Sequence, residues 1–274
     1  MLELIFFIPK EAQKKMMLEF IKPTFSELLN TGEISSFVYT SYPKRLILEV
    51  FTTEENQVFN EQISTKWKQY LQSEYEYFAA FKMTEVQTLF REFPQDYIKI
   101  LEHEHVDESD PFYTKDTSLL NLEILECLVE NEYDFEYSLC LVFTYLYCLG
   151  GYAPKIYLEQ SKELLNTIEF FPSTKEKLNA EVTSILNENE KEIKERLDEL
   201  FIELNAFHEL ESAPTTFSKW KLSYGMLTNN TEIIDITLLF EKFRNQLFFS
   251  DAEIYMISTI IINYFEEKYC YNFV

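Results

Sequence analysis

The strongest constraint on this chain is the order in which its hydrophobic period changes. Over the first 83 residues the pattern switches between strand and helix, and after residue 84 it is almost wholly helical. Residues 2–8 form a short apolar run closed by Pro9, which predicts a buried strand. Residues 10–31 carry Met17, Phe20, Ile21, Phe25, Leu28 and Leu29 at helical spacing. Pro23 should kink or split that helix, and Gly32 supplies its stop. Residues 34–41 and 45–52 are β-branched and aromatic with Pro43 between them, which predicts a hairpin. Thr52-Thr53-Glu54-Glu55 has the spacing of a capping box and opens a helix to about residue 73. Its apolar side is Val58, Phe59, Ile63, Trp67 and Leu71. Residues 75–83 then read as a strand. The fold class expected is α+β: a ferredoxin-like βαββαβ segment over 1–83, followed by a mainly helical segment over 84–274 packed on it.

In the second segment, residues 84–100 read as a helix broken at Pro94, and residues 102–110 as an acidic loop. Helices are expected over about 116–130, 132–149 and 156–170. The longest runs from the capping box at Ser173 to about Leu210, with Leu178, Val182, Ile185, Leu186, Ile193, Leu197, Leu200, Phe201 and Leu204 on its expected buried side. Closing helices span about 214–227, 231–249 and 251–269, the last opened by Ser250-Asp251-Ala252-Glu253.

Composition narrows the partners. The net charge is −23, and arginine occurs only at Arg45, Arg91, Arg196 and Arg244. Phosphate binding needs clustered cations, so nucleic acid is not expected as a partner. No stretch is long and apolar enough for a membrane span, and no signal-peptide pattern opens the chain, so the expected location is cytoplasmic. With four glycines there is no phosphate loop or dinucleotide fingerprint, and no nucleophile elbow or zinc-protease motif occurs. No cofactor is implied. His103 and His105 would share a face on a strand and could then meet a metal, but the expected reading is an exposed acidic loop with no metal.

Several segments, taken in order, match one known pattern. These are Leu4-Ile5-Phe6-Phe7, Leu28-Leu29-Asn30-Thr31-Gly32, Phe37-Val38-Tyr39-Thr40-Ser41-Tyr42-Pro43 and Arg45-Leu46-Ile47-Leu48-Glu49-Val50-Phe51. Tyr113-Thr114-Lys115-Asp116-Thr117 follows, and later Glu241-Lys242-Phe243-Arg244-Asn245-Gln246-Leu247-Phe248 before a last helix. The chain thereby resembles the C-terminal elimination domain of lantibiotic dehydratases, also found free-standing as thiopeptide-type bacteriocin biosynthesis proteins. The resemblance implies a stand-alone peptide-tailoring protein whose partner is a ribosomally made precursor peptide, a dehydratase, or both. Its activity would be glutamate elimination, a cycloaddition, or a non-catalytic role beside a dehydratase. It implies Glu241 as the catalytic base and Tyr42, Arg45, Arg244 and Asn245 as substrate-binding residues.

The departures fall on charged positions. Ser41 stands where the family has a substrate-contacting arginine, Gln246 where it has another, and Glu241 where it has the histidine of elimination. Expelling glutamate from a glutamyl ester builds negative charge, and losing one donor aimed at such charge typically costs about 10²–10³ in rate. The reading from another class is an acidic helical interaction or immunity-type protein, whose charge of −23 would complement a basic partner.

Overall fold

The computed structural model describes residues 1–53, 56–80, 97–103, 115–150, 158–159, 161–162, 165, 168–206 and 243–270. The chain divides into two compact units, Met1–Glu126 and Cys127–Val274.

The first unit is built on a four-stranded antiparallel sheet: β1 (Leu2–Phe6), β2 (Ile34–Tyr42), β3 (Arg45–Thr52) and β4 (Ile98–Glu102), in the order β2-β3-β1-β4. β1 lies between β3 and β4 and pairs antiparallel with both, Leu4 facing Leu48 on one side and Ile100 on the other. Leu2, Leu4 and Phe6 are fully buried, as are Leu46, Leu48 and Val50 of β3. Strict alternation puts these on one face, which the helices cover.

The first helix has a defect that Pro23 explains. α1 (Lys10–Met16) passes into a π-helical turn, Met17–Ile21, and then into α2 (Lys22–Thr31). The Lys22 N–H reaches back five residues to the Met17 carbonyl. Proline cannot donate, and its ring crowds the carbonyl four residues before it, so the preceding turn widens. The helix continues through the proline and stops at Gly32, whose φ of 79° makes the left-handed cap that the sequence predicts.

α3 (Asn56–Ser73) packs Phe59, Ile63 and Trp67 into the core. Trp67 meets Phe6 edge-on at 5.1 Å and Phe20 at 5.1 Å, so strand and helices share one aromatic cluster. Val58 is 55% exposed, because only the i, i+4 series 59, 63, 67 points inward. The expected capping box at Thr52 includes Glu54 and Glu55, outside the described residues.

The fourth strand is not where its aromatic pattern placed it. Residues Tyr75–Ala80 form α4, and the strand is Ile98–Glu102. Tyr75 is 71% exposed and Phe78 is buried, while the Phe78 N–H bonds to the Glu74 carbonyl. One buried aromatic, followed by two alanines, suits a helix turn better than a strand. Ile98-Lys99-Ile100-Leu101-Glu102 has the β-branched alternation and a free partner in β1, so pairing overrides the helical reading.

α5 (Lys115–Glu130) carries the chain into the second unit, where α6 (Phe135–Gly150), α7 (Pro172–Ala206) and α8 (Asp251–Cys270) follow. α5 ends where Glu132 and Tyr133 take positive φ and the Tyr133 N–H returns to Leu128. Asp134 then caps α6 by accepting from the Tyr137 N–H at 3.2 Å. α7 kinks at Asn189 (φ −130°), so its buried residues fall into two groups, Leu178 and Val182 before the kink and Ile193 to Leu204 after it. α8 packs against α6 and α7. Tyr255 donates to Asn179 at 2.9 Å, Tyr264 donates to Asp198 at 2.5 Å, and Lys268 pairs with Asp198.

The Ser250 capping box is complete. Its hydroxyl accepts from the Glu253 N–H at 3.2 Å, and the Glu253 carboxylate accepts from the Ser250 N–H at 2.7 Å. Ser250→Ala should lower stability by about 1 kcal/mol in denaturant unfolding with α8 otherwise intact. Burial alone would raise the Asp198 carboxyl, but the bonds from Lys268 and Tyr264 outweigh it and hold its pKa below the usual carboxylate range. Its stabilisation is therefore present above the unfolded pKa, near 4, and is lost as pH falls through the lower folded value. Asp198→Asn should flatten that part of the stability–pH curve.

Candidate functional site

The expected site residues fall into two groups, one in each unit. In the first, Tyr42 and Arg45 face each other across the two-residue turn Pro43-Lys44 that closes β2 and β3. Both are exposed, and the Arg45 guanidinium lies over the Tyr42 ring at 5.0 Å, a cation–π pair. The turn is anchored from behind. The Lys10 N–H bonds to the Pro43 carbonyl at 3.0 Å. The fully buried Gln13 amide donates to the Tyr42 carbonyl at 2.7 Å and to the Ile8 carbonyl at 2.8 Å.

Ser41 completes this arrangement. It is buried, and its hydroxyl donates to Gln13 Oε1 at 2.7 Å. The position where the resemblance implies an arginine thus holds a short side chain locked into the interior. Sequence reasoning missed Gln13, although a signal was there. It is a polar residue beside Ala12 on the stripe continued by Met16, Met17 and Phe20, and a polar group on such a stripe must find partners.

In the second unit, residues 243–250 form a short helical turn and a tight exit into α8. Arg244 pairs with Asp251, and Asn245 is half-buried beside it. Gln246 is buried. Phe248 has a φ of 61°, strained for a bulky side chain, and is held there on both sides. The Phe249 N–H returns to the Arg244 carbonyl at 3.1 Å, and Tyr133 donates to the Leu247 carbonyl at 3.0 Å. Burial pushes the Tyr133 phenol far above its ordinary pKa, so it remains a donor at any physiological pH. Phe243 packs on Tyr145 at 4.0 Å and on Phe249 at 5.9 Å. Glu241, the expected base, lies outside the described residues.

His103, the one described member of the His103/His105 pair, meets an acidic side chain. Its Nε2 lies 2.9 Å from a Glu3 carboxylate oxygen across β1 and β4, and His105 lies outside the described residues. No group of three or more His, Cys, Asp or Glu side chains is gathered for a metal among the described residues. No helix among them is long and apolar enough to cross a membrane.

No family model matches the chain, and no curated protein matches it in sequence. Two solved structures share its fold from end to end. The pyridine synthase TbtD, from thiomuracin biosynthesis, superposes with a TM-score of 0.68 at 13% identity, covering 98% of this chain and 99% of that one. TsrL superposes with a TM-score of 0.58 at 14% identity, covering 98% and 95%.

Gln13→Leu keeps the volume but removes both donors to buried carbonyls and the acceptor for Ser41. It should cost about 1–3 kcal/mol in chemical unfolding. Ser41→Arg should destabilise the fold as well, by forcing a charge into the space behind the hairpin.

Proposed function

We propose that this chain is a stand-alone peptide-tailoring protein that acts on a ribosomally made precursor peptide, closing a ring rather than expelling glutamate. End-to-end similarity to a pyridine synthase supports the peptide-tailoring part. The observation that carries the choice of reaction is the burial of Ser41 and Gln246. Both stand where an eliminating relative would present arginine to a developing anion. A hydroxyl bonded to Gln13 and a buried amide supply no cation for that purpose.

Ring closure asks something else of a protein. Two unsaturated groups of one peptide must be held within reach and aligned, and orientation alone can supply several kcal/mol of the barrier. In this reading Tyr42 and Arg45 hold the peptide through an aromatic face and a cation on a fixed turn. Arg244 and Asn245 offer polar contacts on the strained turn before α8, and Glu241 is the base that takes a peptide amide proton as the two groups join and returns it to the product. The strand order β2-β3-β1-β4, with every pairing antiparallel, supports a ferredoxin-like reading of the first unit. A dehydratase that prepares the unsaturated peptide is the expected working partner.

The test separates the two chemistries. Incubated with a glutamylated precursor peptide, the chain should bind it and release no free glutamate. Stoichiometric glutamate release with matching dehydration would overturn the ring-closing reading. Arg45→Ala should weaken peptide binding severalfold in a titration, with the melting temperature unchanged.

A further inference from the structure

The two edges of the sheet in the first unit are treated differently. Edge strands expose backbone donors and acceptors at every second residue. At β2, a single α5 side chain closes the centre of that edge. Ser118 Oγ accepts from the Phe37 N–H at 3.0 Å and donates to the Phe37 carbonyl at 2.6 Å. A further strand therefore cannot pair across Phe37.

Among the described residues, nothing closes the β4 edge in this way. Met1 and His103 exchange backbone bonds, which fixes the phase of the β1–β4 ladder. By alternation Lys99, Leu101 and His103 point their backbone groups at β1. The N–H and C=O groups of Ile98, Ile100 and Glu102 point away from it and carry no hydrogen bond among the described residues. Glu102 is exposed and Ile100 half-exposed, so solvent reaches this edge. Donors and acceptors repeating about every 6.8 Å fit one kind of occupant, another extended chain.

From this asymmetry we infer that the β4 edge is a docking strand for an extended segment of the precursor peptide, which adds to the sheet as a fifth strand beside Ile98–Glu102. The inference rests on the peptide-tailoring reading given above. Main-chain bonds would supply affinity without demanding a particular sequence, which suits a protein that must hold a peptide while another part of it reacts. The net charge of −23 disfavours a second copy of the chain as the occupant and favours a peptide segment that is neutral or basic. Docked this way, the segment lies beside β4, at the opposite edge of the same sheet from β2, whose hairpin with β3 carries Tyr42 and Arg45.

Proline at Glu102 tests the edge directly. The Glu102 side chain is exposed and its N–H points outward, so Glu102→Pro removes an edge donor and sets a ring in the docking path without breaking a bond to β1. In the free protein, the amides of Ile98, Ile100 and Glu102 should exchange hydrogen much faster than those of Lys99 and Leu101. On addition of a leader-bearing precursor peptide of neutral or basic charge, the three should become protected. Glu102→Pro should melt near the wild-type temperature and bind that peptide about tenfold more weakly or worse. N-methylation of alternate residues in the docking segment of the peptide should weaken binding to wild type in the same way. Protection of the three amides in the free protein would overturn the inference, as would their protection by dimer formation at high concentration. Unchanged peptide affinity in Glu102→Pro would overturn it while leaving the tailoring function in place. Failure of the wild-type chain to bind the peptide at all would overturn both.

Discussion

Everything in the first unit depends on β1 being paired on both sides. A five-residue strand at the start of the chain holds β3 and β4 together, and its Leu2, Leu4 and Phe6 make the floor on which α1, α2 and α3 rest. Phe6 reaches Trp67, and Trp67 reaches Phe20, so the ladder and the helical layer form one packed object. The hairpin that carries Tyr42 and Arg45 is fixed to this object twice, by its pairing with β1 and by Gln13. Its tip is consequently a rigid place to hold something.

The same ladder explains which parts of the fold were legible in the sequence. The hairpin, the Gly32 cap, the Pro23 distortion and the Ser250 capping box were all readable because each is a local rule with a local cause. The fourth strand was not. Tyr75 to Phe78 has the aromatics of a strand but a helical contact pattern, and Ile98–Glu102 becomes a strand because β1 has an edge to give it. That information is held eighty residues or more away and has no trace in the window itself. Val58 erred for a smaller reason, since two adjacent apolar residues cannot share one helix face.

The candidate site shows a similar division. The aromatic and cationic residues of the hairpin stand out in sequence, and the structure does place Tyr42 and Arg45 in contact. What sequence could not show was the meaning of Ser41. As a letter it is a missing arginine. As a side chain it is one member of a buried hydrogen-bond set with Gln13 and the Tyr42 carbonyl. The scarcity of arginine in this acidic chain thus has a structural counterpart, because the two positions at which the resemblance would expect arginine are interior. The strained Phe248 and its clamp by Tyr133 were equally invisible, since a positive φ at phenylalanine follows from the surrounding packing.

In the proposed reading the chain handles a peptide, and the buried Ser41 and Gln246 argue against one particular reaction on it. The most direct test is co-expression of the precursor peptide and its dehydrating partner with and without this chain, followed by intact mass and ultraviolet absorbance of the peptide. The account predicts a cyclic product absorbing as a new conjugated ring only when the chain is present. Peptides identical in mass and absorbance in the two cultures would contradict it.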